Sequence, residues 1–216
     1  MFLFCIRTAF TQTLPPPPHP MYLRDVFSTP FEPKPYAGIQ GSPFLEDKWI
    51  MAKLKATGRN ELIDSISIKL NIYENKIHFL NNKGEEMQVA LRIEEIKIID
   101  SSSVWLNKTF LSDFDQESGF FEVIADGGKL KLLKKYRMFL WETKPLGSEP
   151  QRKLEPMDDL FFLFNARLFK ASKACLSIED AFRNNEKVID YIQANDLRCN
   201  KEEDMRKLVT FYALLK

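Results

Sequence analysis

The hydrophobic alternation of residues 65–73 constrains the fold of this chain more than any other feature. Apolar and polar residues alternate there without a break, so that one side of the segment carries Ile66, Ile68, Leu70 and Ile72. A period of two over this length predicts a β-strand with one buried face. Further apolar runs follow at residues 77–80, 87–91 and 93–99, and turn-forming residues separate them. We therefore expect consecutive antiparallel strands joined by short turns.

The positions of the prolines divide the chain. Nine of the 12 prolines lie before residue 44, and none lies between Lys48 and Lys144. Because proline opposes both helices and central strands, we predict a proline-rich leader over residues 1–43. Its polyproline stretch at residues 15–20 is interpreted as a spacer, and a ligand for an aromatic-lined groove is the alternative.

The remaining sequence predicts an antiparallel β body over residues 44–172 and a helical tail over residues 173–216 that docks on this body. The predicted fold class is mainly β with α (α+β). We expect an antiparallel meander or a partly open barrel of about nine or ten strands, followed by three short C-terminal helices.

The best local hairpin signal lies in residues 120–135. Asp126-Gly127 is a preferred pair for a type I′ turn. A turn centred on this pair sets a register with three opposed pairs: Phe121 with Leu132, Glu122 with Lys131, and Val123 with Leu130. A second hairpin is predicted where residues 160–164 and 167–169 meet across Asn165-Ala166.

Basic residues crowd one segment of the chain: Lys129, Lys131, Lys134, Lys135 and Arg137. Acidic residues lie just upstream, and the predicted hairpin brings part of that acidic segment alongside. We interpret the cluster as neutralised within the fold, with phosphate or nucleic-acid binding as the alternative. The whole chain carries a net charge of +1, which gives no reason to propose a nucleic-acid partner or an anionic membrane.

Three helices are predicted in the tail, with starts near Ser177, at Asn184 or Asn185, and at Asn200. The third helix places four apolar residues on one face: Met205, Leu208, Val209 and Tyr212. Helices this short are unstable alone. They must therefore dock on the sheet or on each other.

The motifs of the common enzyme and metal-binding classes do not occur in the sequence. We find no G-x-S-x-G, no H-E-x-x-H, no glycine-rich phosphate loop and no C-x-x-C. Residues 113–117 begin like a calcium loop, but Ser118 and Ile124 stand where glycine and a bidentate glutamate are needed. We interpret them as a solvated acidic turn, and His78 as a polar-face or partly buried structural histidine. We predict no catalytic, cofactor-binding or metal-binding residue and no cofactor.

The N-terminus and the cysteines bear on the compartment. Residues 1–6 are apolar and Arg7 follows them, which leaves two interpretations open: an untargeted N-terminus, or a signal peptide that starts upstream of Met1. Cys175 and Cys199 are expected to be buried free thiols, with a bond between them in an oxidising compartment as the alternative. No apolar run reaches the roughly 18 residues of a transmembrane helix.

Four passages form a shared pattern: residues 41–49, residues 69–77 with 81–85, residues 120–136, and residues 190–212. Together they resemble a group of uncharacterised exported proteins of Bacteroidota. The resemblance covers most of residues 41–216 and rests on hairpin turns and helix ends. It implies a hairpin-rich β body with C-terminal helices and export to the cell envelope. The group has no assigned activity, so the resemblance implies no site residues.

Three functions follow as predictions. The first is a non-enzymatic cell-envelope protein that binds a partner protein or a surface polymer. The second is a carrier of a small apolar ligand in a Phe-lined β cavity, with these candidate residues: Phe161, Phe162, Phe164, Trp105 and Trp141. The third is an enzyme of an unrecognised type. The predicted location is the periplasm or cell envelope if the leader is a truncated signal peptide, and the cytoplasm otherwise.

Overall fold

The computed structural model describes residues 28–30, 36, 38–59, 62–112, 114–144, 146–147, 149–173 and 175–215. This part of the chain is mainly β with α, as predicted. Its strands are β1 (Ser28–Pro30), β2 (Ile39–Gln40), β3 (Ile50–Ala56), β4 (Leu62–Asn71), β5 (Lys76–Leu80), β6 (Glu86–Val89), β7 (Ile93–Ile98), β8 (Thr109–Leu111), β9 (Phe121–Asp126), β10 (Leu130–Thr143), β11 (Gln151–Phe164) and β12 (Arg167–Lys170). Its helices are α1 (Leu176–Ala181), α2 (Glu186–Ala194) and α3 (Glu202–Leu214).

The strands form one open and mostly antiparallel sheet that is built from two meanders. One meander runs from β3 to β6 and the other from β7 to β12, and the pairing of β3 with β7 joins them. β1 pairs with β6, and β2 pairs in parallel with β11. These two short strands come from the predicted leader, whose apolar start and polyproline stretch lie outside the described residues. The strands β1, β2 and β8 have only two or three residues each, too few to leave an alternation in the sequence.

The first meander must curl, because the link between β6 and β7 is short. Val89 and Ile93 bound this link, and four residues of chain span at most about 14 Å. In a flat sheet the order β6-β5-β4-β3-β7 would separate them by about 19 Å, which is four strand spacings. The curl turns the apolar side of the alternating strands inward. The first core forms there, and its fully buried members include Leu54, Ile68, Leu70, Ile96, Ile98 and Phe110.

A second core lies between the helices and β9–β12. It includes Leu130, Leu132, Phe162, Ile178, Val188, Met205, Leu208 and Val209. The predicted apolar face of α3 is confirmed, because Met205, Leu208 and Val209 are buried and Tyr212 packs against them. A third, smaller cluster joins Phe121, Leu133 and Phe161.

The helix starts differ in detail from the prediction. Asn185 is the N-cap residue of α2, but its side chain makes no capping hydrogen bond. The N-cap residue of α3 is Lys201 rather than Asn200, and its side chain makes no capping hydrogen bond either. Ser177 lies inside α1, where its hydroxyl donates to the Lys170 carbonyl at 2.8 Å. A side-chain cap is one of several ways to satisfy a helix end, so a capping residue in the sequence fixes the start only to within a residue or two.

Cys175 and Cys199 form a disulfide, with their Cα atoms 5.1 Å apart. Both residues are buried in the second core, as predicted, but the expectation that they are free thiols is wrong. The docking of the helices on the sheet brings the two cysteines together. The bond ties the start of α1 to the segment that leads into α3.

The β9–β10 hairpin has another register than the one predicted from Asp126-Gly127. Its turn is centred on Gly128-Lys129. A β-bulge follows at Ile124, and as a result Phe121 lies opposite Lys135. A bulge adds one residue to one strand and shifts every later pair, which a pattern of alternation does not reveal. The β11–β12 turn at Asn165-Ala166 is confirmed, and both of its residues have the positive φ of a type I′ turn.

Candidate functional site

The β10–β11 hairpin continues past the body of the sheet. β9 pairs with β10 only as far as Lys135, and β12 pairs with β11 only from Phe161. We call residues 137–143 of β10 and 151–157 of β11 the ribbon. Among the described residues, the one further strand paired with it is β2, at Arg152 and Lys153. The ribbon is thus two strands wide over most of its length.

One face of the ribbon exposes three large apolar side chains. The register sets Phe139 opposite Glu155 and Trp141 opposite Lys153, so Phe139, Trp141 and Met157 share a face. They are 42, 48 and 41 % exposed. The ring centroids of Phe139 and Trp141 are 4.7 Å apart, and the ring planes are inclined by 58°. We call this surface the aromatic face.

The opposite face of the ribbon is covered in part. Leu154 is buried there. Gly41, which follows β2, approaches so closely that a Cβ atom on it would lie 2.8 Å from the Leu154 carbonyl oxygen. The opposite face is therefore covered around Leu154, while Glu142, Arg152 and Pro156 on it are exposed. The aromatic face is a surface rather than a part of a core. Contiguous exposed apolar groups of this kind mark interaction sites more often than scattered ones do.

Charges along the ribbon are balanced by ion pairs. Arg152 Nε lies 3.0 Å from a Glu142 carboxylate oxygen, and Lys153 Nζ lies 2.9 Å from one of Glu155. Beyond them, at the tip of the hairpin, Leu146 is fully exposed. The apolar groups on the ribbon are thus accompanied by a charge distribution that favours neither sign.

A groove of about 410 Å³ lies where the curled sheet stays open. The apolar part of its lining consists of Ile77, Val89, Leu91, Ile93, Phe114 and Phe120. The polar part includes Asn75, Lys76, Gln88, Ser112 and Ser118. Its volume falls within the range of roughly 300–1,000 Å³ typical of ligand pockets. The groove is therefore a second candidate binding site.

A polar cluster surrounds the buried carboxylate of Glu122. Glu122 is 2 % exposed, and its carboxylate accepts a hydrogen bond of 2.6 Å from the Tyr136 hydroxyl and lies 2.6 Å from Lys108 Nζ. Burial, followed by the hydrogen bond to Glu122, raises the pKa of Tyr136 far above its usual value. A carboxylate with two close partners is the arrangement of a buried structural charge.

The interpretation of the basic segment as self-neutralised is confirmed for four of its five residues. Lys131 pairs with Asp126 and Lys135 with Glu117, both from the upstream acidic segment. Two further partners come from elements that the sequence pattern did not indicate: Lys134 pairs with Glu202 of α3, and Arg137 pairs with Asp159 of β11.

The remaining sequence candidates occupy structural positions. His78 is fully buried, with its Nδ1 atom 2.6 Å from Glu86 and its ring edge-on to Phe44. In the acidic turn, Asp113 lies outside the described residues, and Asp115 pairs with Arg92 at 3.2 Å. Across the described ranges, no group of three His, Cys, Asp or Glu side chains is placed to hold a metal ion.

The aromatic residues predicted to line a cavity are dispersed. Phe162 and Phe164 belong to the second core and Phe161 to the third cluster, while Trp105 packs against the first core. Trp141 alone is widely exposed, on the ribbon. Phe139 was not among the sequence candidates, because the apolar run of residues 138–141 is typical of a strand buried on both faces. Met157 was not among them either, because it stands in a mostly charged segment without apolar alternation.

Comparison with protein families, with curated proteins and with solved structures found no match for the chain. Within the described residues, no helix has the length and apolar character needed to cross a membrane.

Proposed function

We propose that the protein is a non-enzymatic binding protein of the cell envelope and that the aromatic face of the ribbon is its binding surface. The observation that carries this proposal is the pair of exposed rings, Phe139 and Trp141, which lie in contact on a strand pair that extends past the body of the sheet. Aromatic side chains contribute large contact areas and are enriched at the energetic centres of interfaces. A partner protein or a surface polymer remains the class of partner predicted from the sequence.

The envelope location rests on two supports. The resemblance to exported proteins implies it, and the Cys175–Cys199 disulfide agrees with it, because such bonds persist in oxidising compartments and are rare in the cytosol. Fractionation of the native cells, with the mature N-terminus and intact mass, tests the location. We expect a product that begins near Gln12 or Thr13 in the envelope fraction. A cytoplasmic chain that begins at Met1 would contradict export.

Binding through the ribbon is tested with the purified protein and isolated native envelopes. We expect the full chain to sediment with the envelopes and a Phe139→Ala/Trp141→Ala variant to remain in solution. Leu62→Ala is the matched control, because Leu62 is an exposed apolar residue on β4, away from the ribbon. Equal sedimentation of all three proteins would remove the ribbon from the proposal.

The groove favours a second candidate function, that of a carrier of a small apolar ligand. Its apolar wall includes Ile77, Val89 and Phe120, and not the phenylalanines predicted from the sequence. Titration with a fluorescent fatty-acid analogue tests this function. We expect saturable binding that Val89→Trp blocks by filling the groove. Binding that survives this substitution would place the ligand elsewhere.

A further inference from the structure

We propose that the partner of the aromatic face is the surface of an electrically neutral lipid bilayer, which the ribbon enters from its tip. This inference rests on the proposed function and names the partner of the same surface. Three observations on the ribbon favour lipid over a protein or a polysaccharide.

The first observation is the gradient of exposure toward the tip. Met157 and Phe139 lie nearer the body of the sheet, Trp141 lies farther out, and the fully exposed Leu146 lies at the end of the hairpin. A partner that docks against the face of a sheet does not need an apolar residue at its end. A bilayer meets the end first, and the headgroup region is where Trp side chains concentrate. Leu146 would then lie about 5–10 Å deep, at the boundary of the acyl chains.

The second observation is the angle between the rings. A flat aromatic platform, on which successive sugar rings of an extended polymer can stack, has coplanar rings, whereas the planes of Phe139 and Trp141 are inclined by 58°. A fluid lipid surface accommodates side chains at any inclination.

The third observation is the charge balance of the ribbon. The pair Lys153–Glu155 lies on the aromatic face and the pair Arg152–Glu142 on the opposite face, and together they neutralise four charges of the ribbon. The third basic residue of the ribbon, Arg137, pairs with Asp159 of β11 at 2.9 Å. Because each of these charges has a partner, the ribbon has little electrostatic preference for anionic lipids. The affinity must come from apolar contact, so it must be insensitive to salt.

The test uses the purified full chain and phosphatidylcholine vesicles, with and without brominated acyl chains. Trp141 is the exposed member of three tryptophans, since Trp49 and Trp105 are partly buried. We expect similar binding from about 0.05 to about 0.5 M salt, values chosen to span the screening range. We also expect the brominated lipid to quench the tryptophan fluorescence. Trp141→Ala/Leu146→Ser should weaken binding by about tenfold or more. Trp141→Phe should keep the binding and lose the quenching, and Leu62→Ala should behave as the natural chain.

The outcomes separate this inference from the proposed function. Binding to vesicles that the ribbon variants do not change, or that needs anionic lipid and disappears in salt, overturns the lipid inference. The lipid inference is also overturned if the protein binds delipidated envelopes through the ribbon but does not bind vesicles. In that case the proposed function stands, with a polymer or a protein as the partner. If no envelope component binds through the ribbon, both fail. Circular dichroism and the unfolding midpoint of each variant show that it is folded.

Discussion

The inner part of the β10–β11 hairpin and the ribbon are made of the same two strands, yet their surroundings are opposite. In the inner part, β9 and β12 occupy the two edges, while the second core and the third cluster cover the two faces. In the ribbon, one face is covered only around Leu154, and the other exposes Phe139 and Trp141. The apolar character of a strand therefore does not decide whether it becomes a core or a surface. Its neighbours do.

The largest effect is expected in the inner part. Phe162 is almost completely buried in the second core, so Phe162→Ala should lower the free energy of unfolding by about 3–5 kcal/mol. Urea unfolding measures this as a lower midpoint with an unchanged slope. A loss below about 0.5 kcal/mol, the range of surface substitutions, would mean that the inner part is no better packed than the ribbon.

The second largest effect on stability is expected from the disulfide, which stabilises the helices that pack on the inner part of the hairpin. Cys175→Ala/Cys199→Ala opens a loop with a sequence separation of 24 residues, and closing a loop of this length contributes about 3 kcal/mol. Dithiothreitol should lower the stability of the natural chain to that of the variant and leave the variant unaffected. The fluorescence of Trp141 on the ribbon should not change in the folded state. A change there would show that the two parts are coupled.

A smaller effect is expected at the boundary between the two parts, where Tyr136 donates to the buried Glu122. Tyr136→Phe removes a hydrogen bond to a charged group, which costs about 1.5–3 kcal/mol. Burial and this bond raise the pKa of Tyr136 in the folded state. The stabilisation that Tyr136 contributes is therefore complete below its pKa in the unfolded chain, near 10, and is lost as the pH rises above that value.

The direction of this pH dependence is tested by measuring the free energy of unfolding from about pH 8 to about pH 11.5, a window chosen to bracket the pKa of tyrosine. The natural chain should lose stability above about pH 10, and the variant should lose less. Some loss should persist in the variant, because burial also raises the pKa of Tyr36 to about 12. Identical alkaline slopes would contradict the role of Tyr136.

The smallest effect is expected on the ribbon. Phe139→Ala removes a side chain that is 42 % exposed, so the free energy of unfolding should change by less than about 0.5 kcal/mol, while the variant should bind envelopes more weakly. A matched comparison with Phe162→Ala then separates stability from binding on one hairpin. A large loss of stability would place Phe139 in a core.

Much of the fold could be predicted because it depends on local patterns. The alternation of residues 65–73 identified β4 and the inward direction of Ile68 and Leu70. The Asn165-Ala166 turn and the apolar face of α3 follow from equally local rules.

The features that were not predicted depend on residues that are far apart in the sequence. The bulge at Ile124 moves the register of β9 against β10, and the helical partner of Lys134 lies far along the chain. The outer part of β11 is charged and contains Pro156, which argues against a central strand but is tolerated in a narrow ribbon. The exposure of Phe139 could not be predicted, because it results from the end of β9 pairing at Lys135.

The short link between β6 and β7 also sets the order in which the chain can fold. Pairs within each meander join consecutive strands, and their loops close in microseconds or less. The β3–β7 pairing joins Ala52 to Ile98, so it must wait until β4, β5 and β6 have curled back. Non-local pairings of this kind slow the folding of β proteins. The short strands β1 and β2 pair with β6 and β11 across still longer stretches of chain. Among the longer strands, we therefore expect the seam between the two meanders to form last and to limit the folding rate.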